Sequence, residues 1–165
     1  MTVFEQAFAV VVGTEGGLTN NPSDPGGRTK FGISQRAYPA LDIAALTLDD
    51  ARAIYHADYY AKIRGDDLPP PLAFLLFDGA VNCGVGRSVR WLQLALGVAQ
   101  DGIIGPVTLA AAHASTPGWR VLADVVALRT MFTSNLPTWR VFGHGWSLRL
   151  ARLPYQAMAI STVVA

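Results

Sequence analysis

Residues 16–32, GGLTNNPSDPGGRTKFG, cannot form a long helix. Two glycine pairs, Asn20-Asn21-Pro22 and Asp24-Pro25-Gly26-Gly27 are turn chemistry, and Pro lacks the N–H that a helix interior needs. The stretch has room for a small hairpin or an irregular loop. On either side the pattern is helical. Phe4, Ala7, Phe8 and Val11 recur on one stripe of a helix over residues 3–14, which Gly16-Gly17 is expected to stop. Ser34 is a candidate N-cap for a short helix. Thr47-Leu48-Asp49-Asp50 reads as a capping box with Asp in place of Glu, opening a helix to about Ile63. Pro69-Pro70-Pro71 opens another that ends near Gly84. GRSVRWLQLALGV predicts a helix with Val89, Leu92 and Leu96 inward. DGIIGP is a tight turn that puts Pro106 at a first helical position. Thr116-Pro117 caps a helix to about Leu136, and the rest is expected to be helical with a break at Gly143 to Gly145. The fold class is therefore mainly α with a small β-hairpin or irregular insertion near residues 16–32.

The 165 residues suit one domain, and 51% hydrophobic with 15% charged is ample for a buried core. That composition excludes an intrinsically disordered chain. Net charge is +1, so no nucleic-acid partner is announced. The charge is uneven: ten acids and six bases precede Cys83, and two acids and seven arginines follow from there. The basic half suits an anionic surface, and equally it is an ordinary set of solvated arginines. Cys83 is alone, so no intramolecular disulfide forms, and its apolar surroundings suit a core residue. His56, His113 and His144 are scattered and read as structural. No cysteine–histidine grouping has zinc spacing, so no metal or cofactor is implied. The N-terminus carries Glu5 and no Lys or Arg before Arg28, which is not the pattern of an ordinary signal peptide. LPPPLAFLLF is too short to span a bilayer.

Glu15 is one of two glutamates, placed where an apolar helix meets the glycine-rich turn. A carboxyl partly desolvated there has its pKa raised, as a general acid requires. Asp24, in a hydrogen-bonding turn, can stay ionised, and Thr29 can hold a water. Two carboxyls in different environments are the equipment for breaking a glycosidic bond. The plainer alternative is a solvated helix end.

EGGLTNNPSDPGGRTKFGIS resembles the opening signature of glycoside hydrolase family 108: Glu-Gly-Gly-aromatic, Asn-Asp-Pro, Asp-Pro-Gly-Gly, then Thr before Gly-Ile. FDGAVNCGVGRSVRWLQLALGVAQDGIIGPVTLAA resembles the predicted peptidoglycan-domain motif that follows in that family, and FGHGWSLRL its closing Gly-Trp-x-x-Arg element. The resemblance implies a lysozyme-like N-acetylmuramidase of phage or bacterial type, cutting the β-1,4 bond after N-acetylmuramic acid in peptidoglycan. It implies a single lysozyme-like domain over 1–165, with a catalytic-motif lobe at 1–66 and a helical lobe at 67–165. Glu15 takes the position of the catalytic glutamate. The order Glu15, Asp24, Thr29 is similar to the Glu-Asp-Thr triad of phage-type lysozymes, with one residue fewer in the second gap. Leu18 replaces the usual aromatic, and Asn21 a common Asp.

Asp78 and Asn82 share a helix face, either as a buried satisfied pair or as a groove wall gripping sugar amides and hydroxyls; the resemblance favours the groove. Tyr38 is a candidate sugar-stacking residue or a core residue. Gln93 and Asp101 are expected to fix a turn, and Trp146 and Arg149 to stack and hydrogen-bond within the core. The implied partners are peptidoglycan glycan strands, a holin for release, and an anionic envelope or membrane surface. The protein is expected to act as a monomer in the periplasm or wall after synthesis in the cytoplasm. A non-catalytic wall-binding module and a lytic transglycosylase are the competing readings.

Overall fold

The computed structural model describes residues 1–13, 19–20, 27–115 and 118–161. Helix α1 (Val3–Val12) starts from a capping box: the Thr2 hydroxyl accepts from Glu5 N, and the Glu5 carboxylate accepts from Thr2 N. Phe4, Ala7 and Phe8 form its buried stripe. It stops at Gly13, whose φ of 69° favours glycine, so the helix ends before the Gly16-Gly17 pair is reached.

A three-stranded antiparallel sheet follows, of β1 (Thr19–Asn20), β2 (Arg28–Lys30) and β3 (Ile33–Ser34), in that spatial order. Thr29 sits at its centre, paired with Thr19 on one side and Ser34 on the other. The Phe31-Gly32 turn joins β2 to β3 with both φ values positive, 51° and 77°, as a two-residue hairpin turn of type I′ requires. The Tyr55 hydroxyl donates to Phe31 O at 3.1 Å and fixes it. The sheet thus extends past the expected hairpin. Ser34 closes a strand instead of capping a helix: its carbonyl accepts from Ala37 N and Tyr38 N, making a turn. The irregular chain beyond is held by Gln35, whose Nε2 donates to the carbonyls of Tyr38, Pro39 and Leu41. These side-chain bonds stand in for the backbone partners that a helix or sheet would have given those carbonyls.

Helix α2 (Leu48–Tyr55) begins at the capping box read from the sequence, with Asp50 accepting from Thr47 N at 2.9 Å. It runs on through a π-helical turn, His56–Tyr60. Helix α3 (Pro70–Cys83) starts on its prolines and ends at Gly84, φ 92°. Every residue from Leu72 to Ala80 is buried, so it is apolar all round and occupies the centre of the core. Helices α4 (Val85–Leu96), α5 (Pro106–Ala114), α6 (Trp119–Ser134) and α7 (Trp139–Ser161) complete the described chain, and α1, α4, α6 and α7 all pack on α3. Helix α6 is capped at Gly118; Thr116 and Pro117 lie outside the described residues.

Glycines at close contacts set packing distances. A Cβ on Gly79 would lie 2.4 Å from Ser88 Oγ, and Ser88 donates to Leu76 O at 2.9 Å, so α3 and α4 touch closely there. In α7 the expected break at Gly143 to Gly145 is absent, and the helix is continuous even through Pro154. The Trp139 ring lies against Gly143, where a Cβ would meet it at 2.8 Å. Leu150, Leu153, Ala157 and Ile160 bury the inner stripe, and that packing outweighs the weak helix propensity of the glycines.

Gly79→Ala is expected to cost about 1–3 kcal/mol by overpacking the α3/α4 contact, read as a lower denaturant midpoint at unchanged slope. Burial also pushes the Tyr55 hydroxyl up to about 12, from 10.0, and raises Tyr38 and Tyr60 in the same direction. A folded pKa above the unfolded value makes ionisation oppose folding, so this stabilisation is complete below about pH 10 and is lost as pH rises through 12. Denaturant titrations across that window are expected to show stability falling steadily.

Candidate active site

A buried cluster of charges interrupts the core. Asp78 on α3 is 1% exposed, and both its carboxylate oxygens are taken by guanidiniums from other helices. Arg129 Nη1 on α6 donates to Oδ1 at 2.5 Å, and Arg149 on α7 donates to Oδ2 from Nε at 3.0 Å and also from Nη2. Arg129 is itself buried, whereas Arg149 is more than a third exposed. Arg149 reaches the surface in a cleft of about 340 Å³ whose walls include Val10, Asp78, Arg152 and Gln156. A second cleft of about 330 Å³ opens on the other side of Arg149, with Asn82, Arg87, Arg129, Phe132 and Trp146 among its walls.

The first cleft adjoins the end of α1. Val10 lines it, Gly13 caps the helix less than one turn later, and Glu15 follows two residues on. Glu15 and Asp24 lie outside the described residues. Thr29 is half-buried on the central strand of the sheet. Tyr38 packs against the core, and its hydroxyl donates to Asp58 Oδ2 at 2.8 Å; burial, and then that carboxylate, raise its pKa.

Of the two alternatives for Asp78 and Asn82, the carboxylate adopts the buried, satisfied one. Both Asp78 oxygens are engaged by guanidiniums. Asn82 is exposed at the rim of the second cleft and folds back to donate to Asp78 O at 2.8 Å. Cys83, expected in the core, is half-buried and lines that same cleft. Trp146 packs with Trp139 and Phe142 at centroid distances of 6.0 and 5.8 Å, while Arg149 turns to Asp78. Gln93 does fix its turn: Nε2 donates to Asp101, Ile103 O and Thr108, and Oε1 accepts from Gly102 N.

Arg129 lies outside every motif of the sequence. Its signal was there: it continues the buried stripe of α6 that runs Val121, Leu122, Val125, so an arginine occupies a core position. An arginine on an apolar stripe demands a buried acid, and Asp78 in an otherwise apolar helix is the acid on offer. Asp78→Asn leaves Arg129 buried and uncompensated and is expected to cost about 3–5 kcal/mol, seen as a lower denaturation midpoint.

Comparison with known proteins fits this architecture. Residues 8–84 match the family model Glycosyl hydrolase 108, and residues 87–150 match the model Predicted Peptidoglycan domain. The solved structure of Brucella abortus SagA is similar at a TM-score of 0.85 and 36% sequence identity, over 96% of this chain and 95% of that one. No curated protein matches the chain. The first model ends and the second begins at the α3–α4 junction, where Gly84 turns the chain. With more than a third of its residues identical to that solved relative over nearly the whole length, the chain belongs to the glycosyl hydrolase 108 family and is a glycoside hydrolase of cell-wall peptidoglycan.

Proposed function

We propose that this hydrolase is an N-acetylmuramidase of lysozyme type, cleaving the β-1,4 bond between N-acetylmuramic acid and N-acetylglucosamine. The observation that supports it most is where the described part of α1 stops. Gly13 caps a helix whose Val10 lines a polar cleft, and Glu15 comes two residues later. Glu15 is the proton donor to the leaving oxygen. Asp24, with Thr29 of the central strand following it in sequence, supplies the second function, holding the attacking water or steadying the oxocarbenium-like state. Tyr38 and Asn82 are the candidates for sugar contact. Asp78 serves as a positioning residue, since its carboxylate holds Arg149 at the cleft wall.

The same reading makes the protein a wall-lytic enzyme of a phage or phage-derived particle, released by a holin and acting as a monomer. Its arginine-rich C-terminal half aids docking on an anionic envelope. Among the described residues no helix is long and apolar enough to cross a membrane.

Digestion of purified peptidoglycan is expected to release fragments with reducing N-acetylmuramic acid ends, identified by mass spectrometry. Ends of the 1,6-anhydro type would make the enzyme a lytic transglycosylase instead, and wall binding with no new ends would overturn the hydrolytic role. Glu15→Gln is expected to lower cleavage by about 10²–10⁴-fold with the melting temperature unchanged. Asp24→Asn reports on the second function, and a fully active variant would move that role to another group.

A further inference from the structure

The second cleft holds more positive charge than its own acids neutralise. Arg87, Arg129 and Arg149 all line it. Among the described residues, Asp78 is the one acid in ion-pair contact with any of the three. Arg129 is 4% exposed, and its Nε has no hydrogen-bond partner among the described residues. A buried guanidinium with an unused donor is costly, because water no longer compensates it. The cluster is therefore suited to receive an anion.

The walls describe that anion further. Arg87 is exposed but not loose: Nη1 donates to Cys83 O at 2.9 Å, and its guanidinium lies 4.2 Å from the centroid of the Phe132 ring. Cation–π stacking of this kind holds the guanidinium plane and leaves its edge available. Phe132, Leu136, Leu150 and Trp146 make the remainder largely apolar. About 330 Å³ is the lower end of the range for small-ligand sites. Guanidinium forks with an apolar flank fit a carboxylate carried on a short aliphatic chain.

We infer that this cleft is a subsite for the acidic stem peptide of peptidoglycan, with Arg87 reading a carboxylate, Arg129 lending its positive charge from the wall behind, and Phe132 and Trp146 covering the adjoining methylene groups. The inference rests on peptidoglycan being the substrate. The glycan strand itself carries no free carboxylate once its lactyl group is amide-linked to the peptide, so the stem is where the charge is. Arg149 touches both clefts, which puts the peptide subsite next to the groove at the end of α1.

The test is titration of the Glu15→Gln chain with the tripeptide L-Ala-γ-D-Glu-diaminopimelate, with the same tripeptide amidated at its carboxyls, and with inorganic phosphate, followed by calorimetry. The free acid is expected to bind, and the amidated form to bind at least about tenfold more weakly. Arg87→Gln, an exposed position that leaves the fold intact, is expected to weaken the acid by about tenfold as well. Equal affinity for acid and amide, or no loss in Arg87→Gln, would overturn the inference. Phosphate binding as tightly as the tripeptide would reduce the cleft to a general anion site and overturn the peptide assignment. None of these outcomes depends on cleavage, so the parent chain's digestion of walls separates a failure here from a failure of the proposed reaction.

Discussion

Asp78 is the constraint on which the arrangement of the helices depends. It is the single charged residue within α3, and α3 is the element that every large helix of the described chain touches. A carboxylate there is tolerable only with full compensation, and the compensation comes from α6 and α7 together. Apolar packing is indifferent to small rotations of a helix. Two guanidiniums that must meet one carboxylate are not, so α6 and α7 are held in one rotational setting about α3. That setting places Arg149 between the two clefts.

The cluster also changes the meaning of the charge asymmetry. The C-terminal half is basic by sequence, yet two of its seven arginines face inward to an acid from the N-terminal half. A third, Arg120, lies 4.0 Å from Asp124. Part of the excess is thus internal wiring. What remains is divided between the solvent-facing arginines of α7, Arg140 and Arg152, and two on α4, the exposed Arg90 and Arg87 above Phe132.

Much of the fold was legible because its punctuation is local. The capping box at Thr47 and the prolines that open α3 and α5 are fixed by residues within a few positions of each other, and the turn around Asp101 by Gln93 eight residues before it, and they form as expected. The failures share the opposite cause. Gly143 to Gly145 and Pro154 look like breakers, yet α7 continues because Leu150, Leu153, Ala157 and Ile160 bury against distant helices. Ser34 looks like a cap, yet pairing with Thr29 takes it into a strand. The site divides in the same way. Asp78 and Arg149 stand out as residues in the sequence, but that they form one cluster with Arg129 depends on contacts 51 and 71 positions apart, which no local pattern encodes.

The π-helical turn at His56–Tyr60 has its own effect on the aromatic core. In a regular α-helix, residues five apart point about 140° away from each other. Tyr55 and Tyr60 are five apart, yet both rings pack on Phe77, at 6.2 and 5.7 Å between centroids. Widening the coil over those residues brings the two phenols to a common side, so a local slip in winding doubles the aromatic surface one segment lends to α3. The same slip lets Tyr55 lean on Phe8 while Tyr60 leans on Phe4, clasping α1 at two successive turns. The bearing of α1, and with it the direction in which the chain sets out toward Glu15, is therefore set by a winding defect more than forty residues downstream.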